Sequence, residues 1–312
     1  MRRGNKRLVL IVMIFVVIAS IAGEFALRKL WGFGEMAILF DESPLYEYIA
    51  QPNQDKIRFG NRVVYNEYSM RSLPLKDSDD CIVLGFGDSV INGGALTDQD
   101  SLATTIVEQR LKNERGEGYR FLNVSAGSWG PDNCAAYLEK YGAFDARVIV
   151  LFVSSHDAHD NMTFEKIVGV HRSYPDRAYP LAVLEVLDRY IKPRIMGLMG
   201  STEEPDELMI NKGGKGLNPG FEYFKNYSIQ HNIPLIVCLH AESAEVEAGK
   251  FNSQGQEILN YCEANGIKLI SGIDIGEQLS DFRDHIHINE AGQKRWARRL
   301  YDTINETIKE CK

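Results

Sequence analysis

Eleven residues, Cys81 to Ile91 (CIVLGFGDSVI), constrain the fold of this chain more than any other stretch. Four apolar residues, Cys81 to Leu84, run into Gly85-Phe86-Gly87 and then Asp88-Ser89. A continuous apolar run bounded by glycines reads as a parallel strand buried on both faces. A serine just past its C-terminal end lies where open α/β sheets place their reactive groups. The two glycines are expected to let the chain turn sharply and leave the Ser89 hydroxyl uncovered. The plainer alternative is an ordinary strand-to-helix turn with a serine N-cap. The stretch alone does not separate the two, and the residues that do lie near the C-terminus.

From Cys81 onward strands and helices alternate. Tyr119 to Val124, Val148 to Val153, Pro234 to Leu239 and Ile267 to Ile270 read as further strands. Between and after them the sequence predicts helices over Leu102 to Lys112, capped by Ser101, and over Pro131 to Tyr141. Three more are expected at Pro219 to Gln230, Phe251 to Ala264 and Asn289 to Ile308. Such alternation implies right-handed crossovers and a parallel sheet covered on both faces. The expected fold is a three-layer α/β/α sandwich around a five-stranded, mainly parallel sheet, preceded by an N-terminal transmembrane helix.

The domain plan follows from composition along the chain. Residues 1–30 form a membrane anchor or signal peptide, 31–80 a connector, and 81–312 the main domain, with an insertion at about 159–218. Arg2, Arg3, Lys6 and Arg7 precede sixteen uncharged residues, Leu8 to Gly23. A helix continued to Leu27 reaches the ~20 residues a span requires. An uncleaved anchor through residues 8–27 is expected, with the N-terminus cytoplasmic and the body exported. Ser20-Ile21-Ala22 offers the rival, a signal-peptidase site. In the connector, Lys56 to Phe59, Gly60-Asn61 and Arg62 to Tyr65 read as a hairpin with a two-residue turn. A net charge of −8 and a pI near 5.5 argue against nucleic acid as a partner. Five cysteines at no metal-ligand spacing imply neither a metal site nor a disulfide framework, and Cys81 and Cys238 read as small core residues. No cofactor is expected. Gly85-x-Gly87 lacks the third glycine of a dinucleotide fingerprint, and Gly213 to Gly216 lacks the features of a phosphate loop. Within the insertion, Ala178 to Met199 has a helical apolar pattern beside several basic residues. It reads as a lid or substrate element, as an extra packed helix, or as a helix lying on a membrane.

Asp284-His285-Ile286-His287 precedes Asn289, which opens the last helix. Asp284 and His287 are three residues apart on a turn. One carboxylate can then reach the Nδ1 of a histidine whose Nε2 faces outward. Serine needs such a base to act as a nucleophile. The histidine needs a carboxylate to orient it and stabilise the imidazolium. A loop after the first strand and a loop before the last helix can meet at the C-terminal edge of the sheet.

With these pieces the chain resembles the SGNH (GDSL-type) hydrolases over about residues 81–309. Gly87-Asp88-Ser89 looks like the nucleophile block, Asn123 to Gly127 like the second block, and Asp284 to His287 with the following Asn-x-x-Gly like the last. The membrane segment and connector look like those of anchored members. The resemblance implies a serine esterase with Ser89, Asp284 and His287 as catalytic residues. It also implies an oxyanion site made by the backbone N–H groups of Ser89 and Gly127 and by a side chain from the third block. There the family's Gly-x-Asn-Asp is replaced by Ser154-Ser155-His156-Asp157, so His156 stands in for the asparagine donor. Asn161 is a second candidate for that donor.

The implied substrate is an O-acyl ester with a short acyl group such as acetyl, carried on carbohydrate. Alternatives are an O-acyltransferase acting on surface polysaccharide and a degenerate domain that binds glycan or a partner. A rival chemistry would gather His156, Asp157, His159, Asp160, His285 and His287 around a metal ion. It leaves Gly87-Asp88-Ser89 unexplained. His285 is expected at the surface or in a packing role, and His159 in a polar loop.

Overall fold

The protein is described here from a computed structural model, which covers residues 2–198, 210 and 212–308. A long helix, α1 (Arg2–Trp31), leads into two antiparallel hairpins. The first pairs β1 (Phe40–Ser43) with β2 (Glu47–Ala50), and the second pairs β3 (Gln54–Arg58) with β4 (Asn61–Tyr65). The main sheet contains β5 (Cys81–Gly87), β6 (Tyr119–Ser125), β7 (Val148–Ser154), β8 (Leu235–His240) and β9 (Lys268–Ser271). Its order is β6-β5-β7-β8-β9, and every pairing is parallel.

The nine remaining helices described are α2 (Ser89–Asn92), α3 (Ala103–Arg115), α4 (Pro131–Tyr141), α5 (Ala182–Val186), α6 (Lys192–Leu198), α7 (Pro219–His231), α8 (Ser243–Ala248), α9 (Ser253–Ala264) and α10 (Glu290–Thr307). Alternate strand residues feed two separate cores. Ile82, Leu84 and Phe86 of β5 join Leu151 of β7, Tyr137 of α4, Phe224 of α7 and Ile258 of α9 on one face. Cys81 and Val83 join Phe152, Val107 of α3, and Trp296 and Leu300 of α10 on the other. Each such side chain, taken fully out of water, contributes roughly 1.5–3 kcal/mol. Burial on both faces is why these strands read as unbroken apolar runs, and the three-layer α/β/α expectation holds.

The first strand runs through both glycines, which serve packing instead of a turn. A Cβ at Gly85 would come within 2.6 Å of the Phe121 ring, and one at Gly87 within 2.6 Å of the Phe152 carbonyl oxygen. Other local expectations shift. The hairpin turn is Phe59-Gly60, one residue earlier than the spacing suggests, because both residues take the left-handed φ of a type I′ turn (+51° and +82°). The hairpin β1–β2 was not expected, since Asp41-Glu42-Ser43 carries little strand propensity. Ser101 does not cap α3. It ends a short 3-10 turn, Leu102 takes the N-cap position, and the Ala103 N–H donates to Gln293 Oε1 of α10 at 2.8 Å. Cys81 is disulfide-bonded and so is more than a core thiol, whereas Cys134, Cys238 and Cys262 are free. The helical reading of Ala178 to Met199 holds from Ala182 to Leu198, and Met199 lies outside the described residues.

Two buried ion pairs join the connector to the insertion. Arg58 of β3 meets Glu185 of α5 at 2.5 Å, and Lys212 meets Glu47 of β2 at 2.6 Å. All four side chains are at most 5% exposed. The connector and insertion therefore pack on each other as well as on the sheet. Within Arg7–Trp31 of α1 an 18-residue window has a mean hydropathy of 2.7 and none of it is buried, so the helix is long and apolar enough to cross a membrane.

Gly87→Ala should destabilise the fold by about 1–3 kcal/mol, because the β7 backbone cannot retreat as a flexible side chain would. Denaturant unfolding of the variant checks this, and an unchanged midpoint would contradict the close approach.

Candidate active site

Ser89 is the first residue of α2, directly beyond β5. The Asp88 carboxylate caps this helix by accepting from the Val90 N–H at 2.8 Å. Asp88 therefore shapes the turn, and Ser89 itself is not the cap. The short helix is held from two sides. Gln293 Nε2 of α10 donates to the Val90 carbonyl at 3.0 Å, and Asn123 Nδ2 of β6 donates to the Ile91 carbonyl at 2.9 Å. Asn123 is fully buried and also accepts from the Ser125 hydroxyl at 2.6 Å. The second sequence block thus has a structural duty toward the serine-bearing turn.

The loop before α10 brings its histidine to the serine. His287 Nε2 lies 2.9 Å from Ser89 Oγ, and His287 Nδ1 lies 2.8 Å from Asp284 Oδ2. The other Asp284 oxygen accepts from the backbone N–H groups of Ile286 (3.0 Å) and His287 (2.7 Å). Partial burial pushes the Asp284 pKa up, but these two N–H groups and the His287 ring prevail and hold it at about 2. The carboxylate is thus ionised at neutral pH, and a serine–imidazole–carboxylate line of this kind can generate a nucleophile.

That loop rests on a buried pair with no sequence signature. His240, at the end of β8, places Nδ1 2.6 Å from Glu277 Oε1 and Nε2 2.7 Å from the Ile286 carbonyl. A neutral imidazole has one N–H and cannot donate to both acceptors. Burial opposes a charge on His240, but Glu277 and the Ile286 carbonyl outweigh it and raise its pKa. Glu277 also accepts from Trp296 Nε1 (2.6 Å) and the Ala241 N–H (3.0 Å). Strand β8, helix α10 and the 284–287 loop therefore meet at this one buried pair. Glu277 lies 37 residues from His240, so only the fold could reveal the pairing.

Gly127 and His156 stand beyond β6 and β7, the strands flanking β5. The Tyr174 hydroxyl of the insertion crowds Gly127, where a Cβ would come within 2.5 Å of it. Tyr48 Oη donates to the Gly127 carbonyl at 2.9 Å, and the next residue, Ser128, is left-handed at φ +55°. His156 is half-buried among carboxylates. Its Nδ1 lies 3.2 Å from Glu242 Oε1, and its Nε2 lies 3.8 Å from Asp160 and 3.9 Å from Asp157. Burial lowers its pKa, yet Asp157, the Glu242 contact, Asp88 and Asp160 together raise it to about 10. Asp157 Oδ2 accepts from the Ser154 N–H at 2.7 Å, while its buried Oδ1 has no hydrogen-bond partner.

The six-residue metal set of the rival reading does not gather. His159 pairs with Glu257 at 2.7 Å, His285 is exposed, and His287 faces Ser89. Among the described residues one group could offer three ligand atoms within 4.8 Å of one another, and it is a different one: Asp88, His156 and Asp157. Asn161 is engaged in a backbone bridge with Gly213.

No family model and no curated protein matches this sequence. Several solved structures are similar to it. A lipase/acylhydrolase from Enterococcus faecalis is 13% identical, with 73% of this chain and 97% of that chain covered and a TM-score of 0.43. A member of the lipolytic protein G-D-S-L family from Veillonella parvula is 11% identical over 72% of this chain and 98% of that one, at a TM-score of 0.38. A carbohydrate acetylesterase family member from Sinorhizobium meliloti is 12% identical over 72% and 98%, also at 0.38.

Removing His240 leaves the buried Glu277 carboxyl without its ion-pair partner. His240→Phe should cost about 3–5 kcal/mol in denaturant unfolding. The folded pKa of His240 is raised, so its stabilising contribution is complete below the unfolded value of ~6.5 and is lost as pH rises through the folded value. The stability gap between native chain and variant should therefore narrow toward alkaline pH.

Proposed function

We propose that this chain is a serine esterase of the SGNH/GDSL type that removes short O-acyl groups, such as acetyl, from carbohydrate on the outer side of a membrane. The observation that carries the reading is the unbroken line Asp284–His287–Ser89, with separations of 2.8 Å and 2.9 Å. Ser89 Oγ attacks the ester carbonyl while His287 Nε2 takes its proton. Asp284, kept ionised by two backbone N–H groups, stabilises the imidazolium. Collapse of the tetrahedral intermediate expels the sugar alkoxide, which His287 protonates. A water molecule, deprotonated by His287, then attacks the acyl carbonyl and frees both the acid and Ser89.

The oxyanion is held by the backbone N–H groups of Ser89 and Gly127 and by the His156 side chain. His156 differs from an asparagine in charge. With its Nδ1 turned to Glu242, its Nε2–H is the donor left for substrate, and the surrounding carboxylates favour the imidazolium. A charge-assisted donor is roughly twice as strong as a neutral one. Tyr174 packed over Gly127 supports a small acyl group. Helix α1 supports the membrane location, and the Cys81 disulfide supports an oxidising, exported setting.

Ser89→Ala should abolish turnover of a short acyl ester and labelling by a fluorophosphonate, with thermal unfolding unchanged. Retained turnover would overturn the assignment. His156→Ala should lower kcat by about 10²–10³. Because His156 titrates at about 10, turnover corrected for base hydrolysis should fall above that pH. His156→Asn, which cannot titrate, should remove this alkaline limb.

A further inference from the structure

The insertion carries an apolar surface that the site does not use. From Ala182 to Leu198 the chain is helical through α5, a π-turn at Leu187–Ile191, and α6. Ala182 and Glu185 are fully buried, Glu185 against Arg58. Leu181, Leu184, Leu187, Ile191, Ile195 and Leu198 are instead 38–88% exposed. They recur every three or four residues, which places them along one side of the helix. A contiguous stripe of this kind on an otherwise acidic protein marks a contact surface.

The start of this helix is tied to α1 at one level. Glu24 accepts from the backbone N–H groups of Ala182 at 2.7 Å and Val183 at 3.0 Å. Arg28 Nη2 donates to the Pro180 carbonyl at 2.6 Å. Glu24 is the first charged residue after the uncharged run Leu8 to Gly23. With that run in the hydrocarbon, Glu24 sits at the headgroups, and so do the first N–H groups of α5. Further along, Lys192 and Arg194 are exposed beside the apolar stripe, a pattern suited to anionic headgroups.

We propose that the Ala182–Leu198 helix is a second membrane contact, lying in the headgroup region of the bilayer that α1 crosses. Its apolar stripe faces the acyl chains, and Lys192 and Arg194 meet anionic lipid. The proposal rests on the reading of α1 as an anchor. It fastens the domain at two points, so that the domain cannot swivel freely about α1.

The test uses the full chain in phosphatidylcholine–phosphatidylglycerol vesicles with plain or brominated acyl chains. In a Trp31→Phe background, which sets the baseline from the buried Trp129 and Trp296, a single tryptophan is introduced as Val17→Trp or as Leu187→Trp. Both should be quenched by brominated lipid, with Leu187→Trp responding most to bromines near the headgroups. Quenching of Val17→Trp without quenching of Leu187→Trp would overturn the docking and leave the anchor standing. A Leu187→Trp shielded from aqueous acrylamide yet indifferent to bromine would also overturn it, since protein would then be the cover. An unquenched Val17→Trp would remove the anchor and the docking together.

Discussion

The buried pair of His240 and Glu277 is the interaction on which the candidate site depends. Both side chains are fully removed from water, where an unpaired charge would be costly. Their hydrogen bonds are all committed. Glu277 binds His240, Trp296 and the Ala241 backbone, and His240 reaches on to the Ile286 carbonyl. The loop carrying Asp284 and His287 is thereby fixed to the rigid end of β8. A half-exposed histidine can then meet a serine from a different loop at 2.9 Å without a pocket of its own to hold it.

The serine-bearing turn is fixed in the same way, by polar groups that reach across the sheet. Asn123 comes from β6 and Gln293 from α10, and each takes one carbonyl of the short helix α2. Gln293 also accepts from the first N–H of α3, the role that Ser101 was expected to fill. One glutamine therefore couples the start of α3, the serine-bearing turn and the last helix. These are positioning roles, and the satisfied hydrogen bonds explain why such polar groups are tolerated in a core.

His156 is the most unusual element of the site. A lone imidazole in that place would be a variable donor, neutral or charged with pH. Four carboxyl groups around it change the electrostatics and favour the charged ring. Glu242 engages one nitrogen, and the other faces Asp157 and Asp160 at 3.8–3.9 Å. The proposed enzyme thus replaces a neutral amide donor with a cation at the cost of an acidic cluster that must be packed around it.

The α/β alternation and the five strands were legible in the sequence, which also singled out Ser89, Asp284 and His287, three side chains that the fold brings together. Each of those follows from local physics: apolar runs buried on both faces, a proline or asparagine opening a helix, and a three-residue spacing within one turn. It also singled out His156, at the end of the third strand, as a proposed donor. What holds these groups in place emerges from long-range packing. His240 with Glu277, His156 with Glu242, and Glu24 with the start of α5 are pairs separated by 37, 86 and more than 150 residues. Separations of that size leave no periodicity to read, because the partners meet only after the strands have paired and the helices have packed. The glycines of the first strand make the same point. Their presence was plain in the sequence, but the close approach that requires them belongs to Phe121 and Phe152 on the neighbouring strands.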